Sequence, residues 1–200
     1  GKSKFYNTPK KIIPNHLNIL KKILIKEKIN NISLVIFSLS TAYIPGINKD
    51  NFFLDKIKKV IFLDPSFFKE DLDWSISIFK KTRSEFDNYI DLYKKNLRKI
   101  FPLGLKNKNK NLNRILCKMN TFDNEALYKL NKESINIVRK KKLHLLFKEI
   151  NKIYLFPCMK KLLNNNKKNF YRKKYYIKNS KHYIFLDNPK ATYSLISKNG

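Results

Sequence analysis

Few residues in this chain have the types and spacing that chemistry requires. The three histidines, His16, His144 and His182, are far apart in sequence. None sits in a metal-ligand spacing: His144 and Glu149 are five residues apart, not the four that set two ligands on one helical face. His144 lies in the apolar run 143–147 and reads as part of a core cluster. Cys117 and Cys158 lack the close pairing of a zinc knuckle and read as small buried thiols. Two cysteines are also too few for a disulfide framework, which suggests a reducing or indifferent compartment. Asp71 and Asp73 resemble a metal-binding pair, but two acids in the first turn of a helix serve its dipole without any metal. The four glycines, at 1, 46, 104 and 200, cannot build a phosphate-cradling loop. No serine elbow and no histidine-centred triad is legible. The expectation is a chain with no catalytic residue, no metal and no cofactor, and so not an enzyme.

Charge carries more information. The 44 Lys and Arg residues against 15 acids leave a formal charge of +29, whose sign points to a polyanion, nucleic acid before anionic membrane. An AT-rich coding bias accounts for part of the lysine and asparagine content, so individual lysines carry little weight. Their distribution is uneven. Residues 50–91 hold seven bases and nine acids, whereas 92–149 hold sixteen bases and four acids, and 150–200 hold twelve bases and one acid. The near-neutral segment is expected to face protein or solvent, the remainder phosphate.

Four basic stretches are the candidate RNA contacts. An N-terminal arm offers Lys2, Lys4, Phe5, Tyr6, Lys10 and Lys11, and a lysine–asparagine loop offers Lys106, Lys108, Lys110 and Arg114. The helical run Arg139, Lys140, Lys141 and Lys142 spreads its charges over more than half a turn. Lys167, Lys168, Tyr171, Arg172, Lys173, Lys174 and Tyr175 interleave bases with aromatics. Bases release counterions from phosphates, while exposed rings stack on unpaired bases. Scarce arginine and the lack of any finger, helix-turn-helix or RNP-type motif exclude a sequence reader.

The elements that would position these residues read as mainly helical. From Leu72 through Ile76, Phe79, Arg83, Phe86, Ile90, Tyr93 and Leu97 to Ile100, spacings alternate four and three, a heptad seam. Asp123 or Asn124 caps a second long helix running to Phe156. The fold class expected is α+β, mainly α. A long antiparallel helical pair (about 66–101 and 124–156) carries a small β component at 32–40, 170–178, 182–187 and 192–197, with a basic extended arm and loops. The expected divisions are a basic arm (1–14), a helical core (15–163) and a basic, aromatic C-terminal β segment (164–200). Shorter strand and helix candidates lie at 60–63 and 50–59.

In overall character the chain resembles ribosomal proteins of AT-rich lineages. That resemblance implies a structural rRNA-binding component of an organellar, mitochondrial ribosome, with a plastid-type organelle as the alternative. Its partners would be ribosomal RNA and neighbouring ribosomal proteins met through 50–91, with no small-molecule substrate. A soluble accessory subunit of an organellar membrane complex is the second reading, and a nucleic-acid-processing enzyme the third. No apolar run reaches the roughly 18–20 residues that cross a bilayer. The chain opens on Gly1 rather than Met, so any targeting peptide is expected to precede it.

Overall fold

The computed structural model describes residues 11–72, 75–77, 82–95, 123–146, 150–157, 171 and 173–199. Its frame is a four-stranded sheet of β1 (Ile32–Phe37), β2 (Ile57–Leu63), β3 (Asn151–Pro157) and β4 (Lys174–Ile177), lying in that order and all parallel. Parallel strands are covered on both faces, so they read as near-continuous apolar runs rather than alternating ones. Val-Ile-Phe-Leu at 60–63 and Ile-Tyr-Leu-Phe at 153–156 are such runs, and every one of those residues is buried.

Successive side chains leave a strand on opposite faces, and two cores result. On one face Ile36, Val60, Phe62, Tyr154 and Phe156 pack with Ile13, Leu17 and Leu24 of α1 (Ile12–Lys26) and with Ile135 and Val138 of α5 (Asn124–Lys140). On the other, Ile61, Leu63, Ile153, Leu155 and Ile177 pack with Ile184 of α6 (Ile184–Asp187) and with Leu195 and Ile196 of α7 (Pro189–Asn199). Between β1 and β2 run a 3-10 turn (Ser38–Tyr43), α2 (Ile44–Ile47) and α3 (Asn51–Lys56). The Asp50 carboxylate caps α3 by accepting from Phe52 N–H at 3.0 Å. Gly46 lies against α1, where a Cβ would collide with Leu17 Cδ1.

This architecture is α/β and corrects the expected antiparallel helical pair. The seam from Leu72 to Ile100 is not one helix. Lys69–Leu72 is a 3-10 turn, residues 75–77 are helical, and α4 (Arg83–Lys95) starts anew after Thr82. The restart has a local cause. Thr82 N–H donates to Glu85 Oε2 at 2.7 Å while Glu85 N–H donates to Thr82 Oγ1 at 3.3 Å, a reciprocal capping box that defines a helix N-terminus. The end of the seam lies outside the described residues.

Helix α5 does begin at an Asp123 cap, with Ala126 N–H donating to Asp123 Oδ1 at 2.9 Å, but it ends at Lys140. The remainder of the expected second helix includes β3, an interior strand of the sheet. Among the described residues the two helices meet through a small separate cluster that includes Phe86, Ile90, Leu127 and Tyr128. Arg83 joins them by pairing with both Asp87 and Glu125.

The expected hairpin 182–187 and 192–197 is helical instead, in α6 and α7. Asn188-Pro189 reads as a turn, yet here Asn188 Oδ1 accepts from Ala191 N–H at 3.2 Å and Pro189 takes the first position of α7. Among the described residues of 32–40 and 170–178, strand structure is confined to β1 and β4, which are parallel members of the one sheet.

Two substitutions separate the roles of sheet and cap. Phe62→Ala, at the centre of the larger core, is expected to destabilise by about 3–5 kcal/mol. Thr82→Ala, removing the hydroxyl that caps α4, is expected to cost about 1 kcal/mol. Urea unfolding of the two variants measures both.

Candidate active site

In an open parallel sheet, the crevice beyond the carboxyl ends of the strands is where loops from several strands converge and where ligands bind. Among the polar residues in the segments leaving that edge are Ser38 directly after β1, Asp64 directly after β2, and His182 in the connection from β4 to α6. Phe37 pairs with Leu63 in the sheet register, so Ser38 and Asp64 leave the edge side by side.

Both adopt a left-handed backbone, Ser38 at φ 49° and Asp64 at φ 39°. Such a conformation costs a residue with a Cβ about 1–3 kcal/mol, and it persists where surrounding contacts enforce it. Those contacts are present. Ser66 N–H donates to the Ser38 carbonyl at 3.2 Å, and the buried Thr41 hydroxyl donates to the Ser66 carbonyl at 2.7 Å. Asp64 N–H donates to the Leu155 carbonyl at 2.8 Å. Asp71 Oδ2 accepts from the Phe67 and Phe68 N–H groups, each at 3.1 Å, and fixes the chain beyond Asp64. Ser38 thus stands on a sharp strand-to-helix turn, the geometry of a nucleophile elbow.

Asp64 is only 6% exposed, and its Oδ2 lies 2.7 Å from His182 Nδ1. A buried carboxylate needs such a partner, since desolvating an unpaired one is costly. With the proton on Nδ1 the imidazole donates to Asp64 and leaves the lone pair on Nε2. Phe37 packs against the imidazole with ring centroids 4.8 Å apart, and Tyr183 approaches its edge at 5.2 Å. Burial, reinforced by the charges of Asp71 and Asp64, holds the Tyr171 phenol far above its ordinary pKa, so it stays neutral in the apolar packing of Tyr154 and Phe156. Among the hydrogen bonds of the described residues none joins Ser38 Oγ to His182.

The chain order Ser38, Asp64, His182 is the order this constellation takes on sheets of this kind. Sequence reading passed over it for identifiable reasons. The glycines that flank the serine of a G-x-S-x-G elbow are replaced at the corresponding positions around Ser38 by Ile36 and Ser40. His182 stands in an aromatic, β-rich stretch that mimics a strand. The available signal was a buried strand ending in Ser-Leu-Ser-Thr-Ala, a second ending in Asp-Pro, and a histidine downstream of both.

Only some of the residues expected to contact RNA are among the described ones. Lys11, Arg139, Lys140, Lys141, Lys142 and Lys173 are exposed, while Lys174 and Tyr175 are half-buried. Tyr171 is 3% exposed, so its ring is enclosed in the core and is not a platform for a base, which corrects that assignment. Lys2, Lys4, Phe5, Tyr6, Lys10, Lys106, Lys108, Lys110, Arg114, Lys167, Lys168 and Arg172 lie outside the described residues. Among the described residues no cluster of three or more His, Cys, Asp or Glu side chains could hold a metal ion. No described helix is long and apolar enough to cross a membrane.

No protein-family profile matches the sequence, and no curated protein matches it significantly. Solved structures do resemble it. MenH from S. aureus is 15% identical with a TM-score of 0.70, over 99% of this chain and 77% of that one. The haloalkane dehalogenase DatA from Agrobacterium tumefaciens C58 is 15% identical with a TM-score of 0.68, over 99% and 75%. A carboxylesterase of the thaumarchaeon Nitrososphaera gargenis is 11% identical with a TM-score of 0.67, over 97% and 74%. At these identities the likeness is one of fold, and the fold is that of the α/β hydrolases. The neighbours are enzymes and not ribosomal proteins. They overturn the expected rRNA-binding ribosomal role, the absence of enzymatic chemistry, and the expectation of ribosomal RNA and ribosomal proteins as partners with no small-molecule substrate. The physical reason is that net charge governs solubility and non-specific association, not fold.

Proposed function

We propose that this chain is a serine hydrolase acting on a small carboxylic ester or a related acyl compound. Ser38 is the nucleophile, His182 the general base and then acid, and Asp64 the group that orients the imidazole. The observation that carries this reading is the 2.7 Å Asp64–His182 contact, on the same sheet edge as a serine held in a left-handed turn. Likeness of fold to esterases and another α/β hydrolase supports it.

In the first half-reaction Ser38 Oγ attacks the acyl carbon as His182 Nε2 takes its proton. The oxyanion that forms accepts from the N–H of Leu39, the residue after the nucleophile. Asp64 stabilises the imidazolium without itself taking the proton. Collapse expels the alcohol with that proton and leaves an ester on Ser38. Water, deprotonated by the same imidazole, then releases the acid and restores the serine.

A hydroxyl nucleophile also decides between chemistries represented among the fold's neighbours. Displacing halide from an alkyl carbon would leave an ether on Ser38, which water does not cleave, whereas a carboxylate nucleophile would leave a hydrolysable ester. Acyl transfer is therefore the chemistry that fits serine at this turn.

Fluorophosphonate labelling and hydrolysis of a p-nitrophenyl ester test the assignment together. Ser38→Ala is expected to abolish both, and Asp64→Asn, which misdirects the imidazole tautomer, to lower kcat by roughly 10⁴-fold. Retention of turnover in Ser38→Ala would refute the proposal. Ser38→Gly separates chemistry from strain. Removing the Cβ from a left-handed residue offsets the entropy lost by glycine, so the folded protein should be as stable as the parent to within about 1 kcal/mol while inactive. Thermal unfolding beside the ester assay reads both.

A further inference from the structure

His182 lies in no helix or strand, so its aim at Asp64 depends on the backbone carrying it. That connection, which turns through Asn179 at φ 54°, is fastened at three points. Ser180 Oγ donates to the Ile177 carbonyl at 2.7 Å, and Asn188 Nδ2 donates to the Lys178 carbonyl at 3.0 Å. The third fastening is on the residue next to His182: Lys181 N–H donates to Asp187 Oδ2 at 2.8 Å. Asp187 is the only acid from 150 to 200.

Its own helix is anchored on the other flank of the histidine, because Leu186 and Asp187 N–H both donate to the Tyr183 carbonyl, at 2.9 and 3.0 Å. Helix α6 therefore grips the chain immediately before and immediately after His182. The grip leaves a polar atom stranded, since Asp187 Oδ1 is buried without a hydrogen-bond partner. Native structures seldom carry such an atom without a reason. Desolvation also raises the Asp187 pKa, against the pull of the Lys181 N–H and charge.

We propose that Asp187 is a positioning residue for the Ser38–His182–Asp64 site, holding the Lys181 peptide so that His182 Nδ1 stays on Asp64. This inference rests on the hydrolase reading above. What the role requires is an oxygen facing the Lys181 N–H, so asparagine serves in place of aspartate and alanine does not. Misplacing a reacting group by about 1 Å costs as much as 100-fold in rate.

The test uses the full chain and the variants Asp187→Ala, Asp187→Asn, Lys181→Pro and Ser38→Ala. Three readouts apply: kcat and KM on a p-nitrophenyl ester, the far-downfield proton NMR signal of a His182 Nδ1–H bonded to Asp64, and thermal unfolding. Asp187→Ala is expected to lower kcat about 10- to 100-fold with KM little changed, and to broaden or erase the NMR signal. Asp187→Asn is expected to keep both within about threefold of the parent. Lys181→Pro deletes the donor instead of the acceptor and is expected to reproduce the alanine loss, and it carries the test should Asp187→Ala fail to fold. Parental kcat and an intact signal in the folded alanine or proline variant would overturn the proposal, as would an asparagine variant as impaired as alanine. Activity surviving in Ser38→Ala would instead sink the hydrolase reading, which leaves the two failures distinguishable.

Discussion

The contact between Asp64 and His182 is the constraint on which the proposed chemistry rests. It joins residues 118 positions apart and exists only because the sheet brings the end of β2 and the segment after β4 to one edge. The carboxylate is buried, so the imidazole is both its partner and the group it orients. Everything around the pair restricts movement. Phe37 flanks the ring, the Leu155 carbonyl holds the Asp64 peptide, and α6 grips the chain either side of the histidine. A site on strand ends is more precise than one on loops alone, and two of the three residues here are the first past a strand.

The two-sided core gives that edge its rigidity. Alternate residues of β2 and β3 enter separate clusters, Phe62, Tyr154 and Phe156 on one side and Ile61, Ile153 and Leu155 on the other. Because both faces are filled, the strands cannot slip by one residue without exchanging their packing. The left-handed turns at Ser38 and Asp64 are strained features set against this background. Their mutual fastening through Ser66 and Thr41 shows how one turn stabilises the other.

Local features were legible in the sequence where local physics decides them. The Asp123 cap, a helix starting near Asp50, the apolar run at β1 and the short strand ending at Leu63 all follow from residue type and spacing. Features decided by tertiary context were not. Residues 153–156 fit a helical pattern and a buried strand equally well, and the sheet chose the strand. The heptad seam hid the capping box at Thr82 and Glu85, although both residues stood in plain view. Ser38 lacked the flanking glycines that mark an elbow, and its turn is imposed by contacts to Ser66, which no spacing rule reveals. Net charge, the strongest compositional signal, reported on the surface and led away from the site.

The most direct measurement of the central claim is intact-protein mass spectrometry after brief reaction with a slowly deacylating ester, followed by peptide mapping. Transient gain of one acyl mass, carried on Ser38 and absent from Ser38→Ala, is the expected result. An unmodified protein under conditions of turnover, or an acyl group mapped to any other residue, would contradict it.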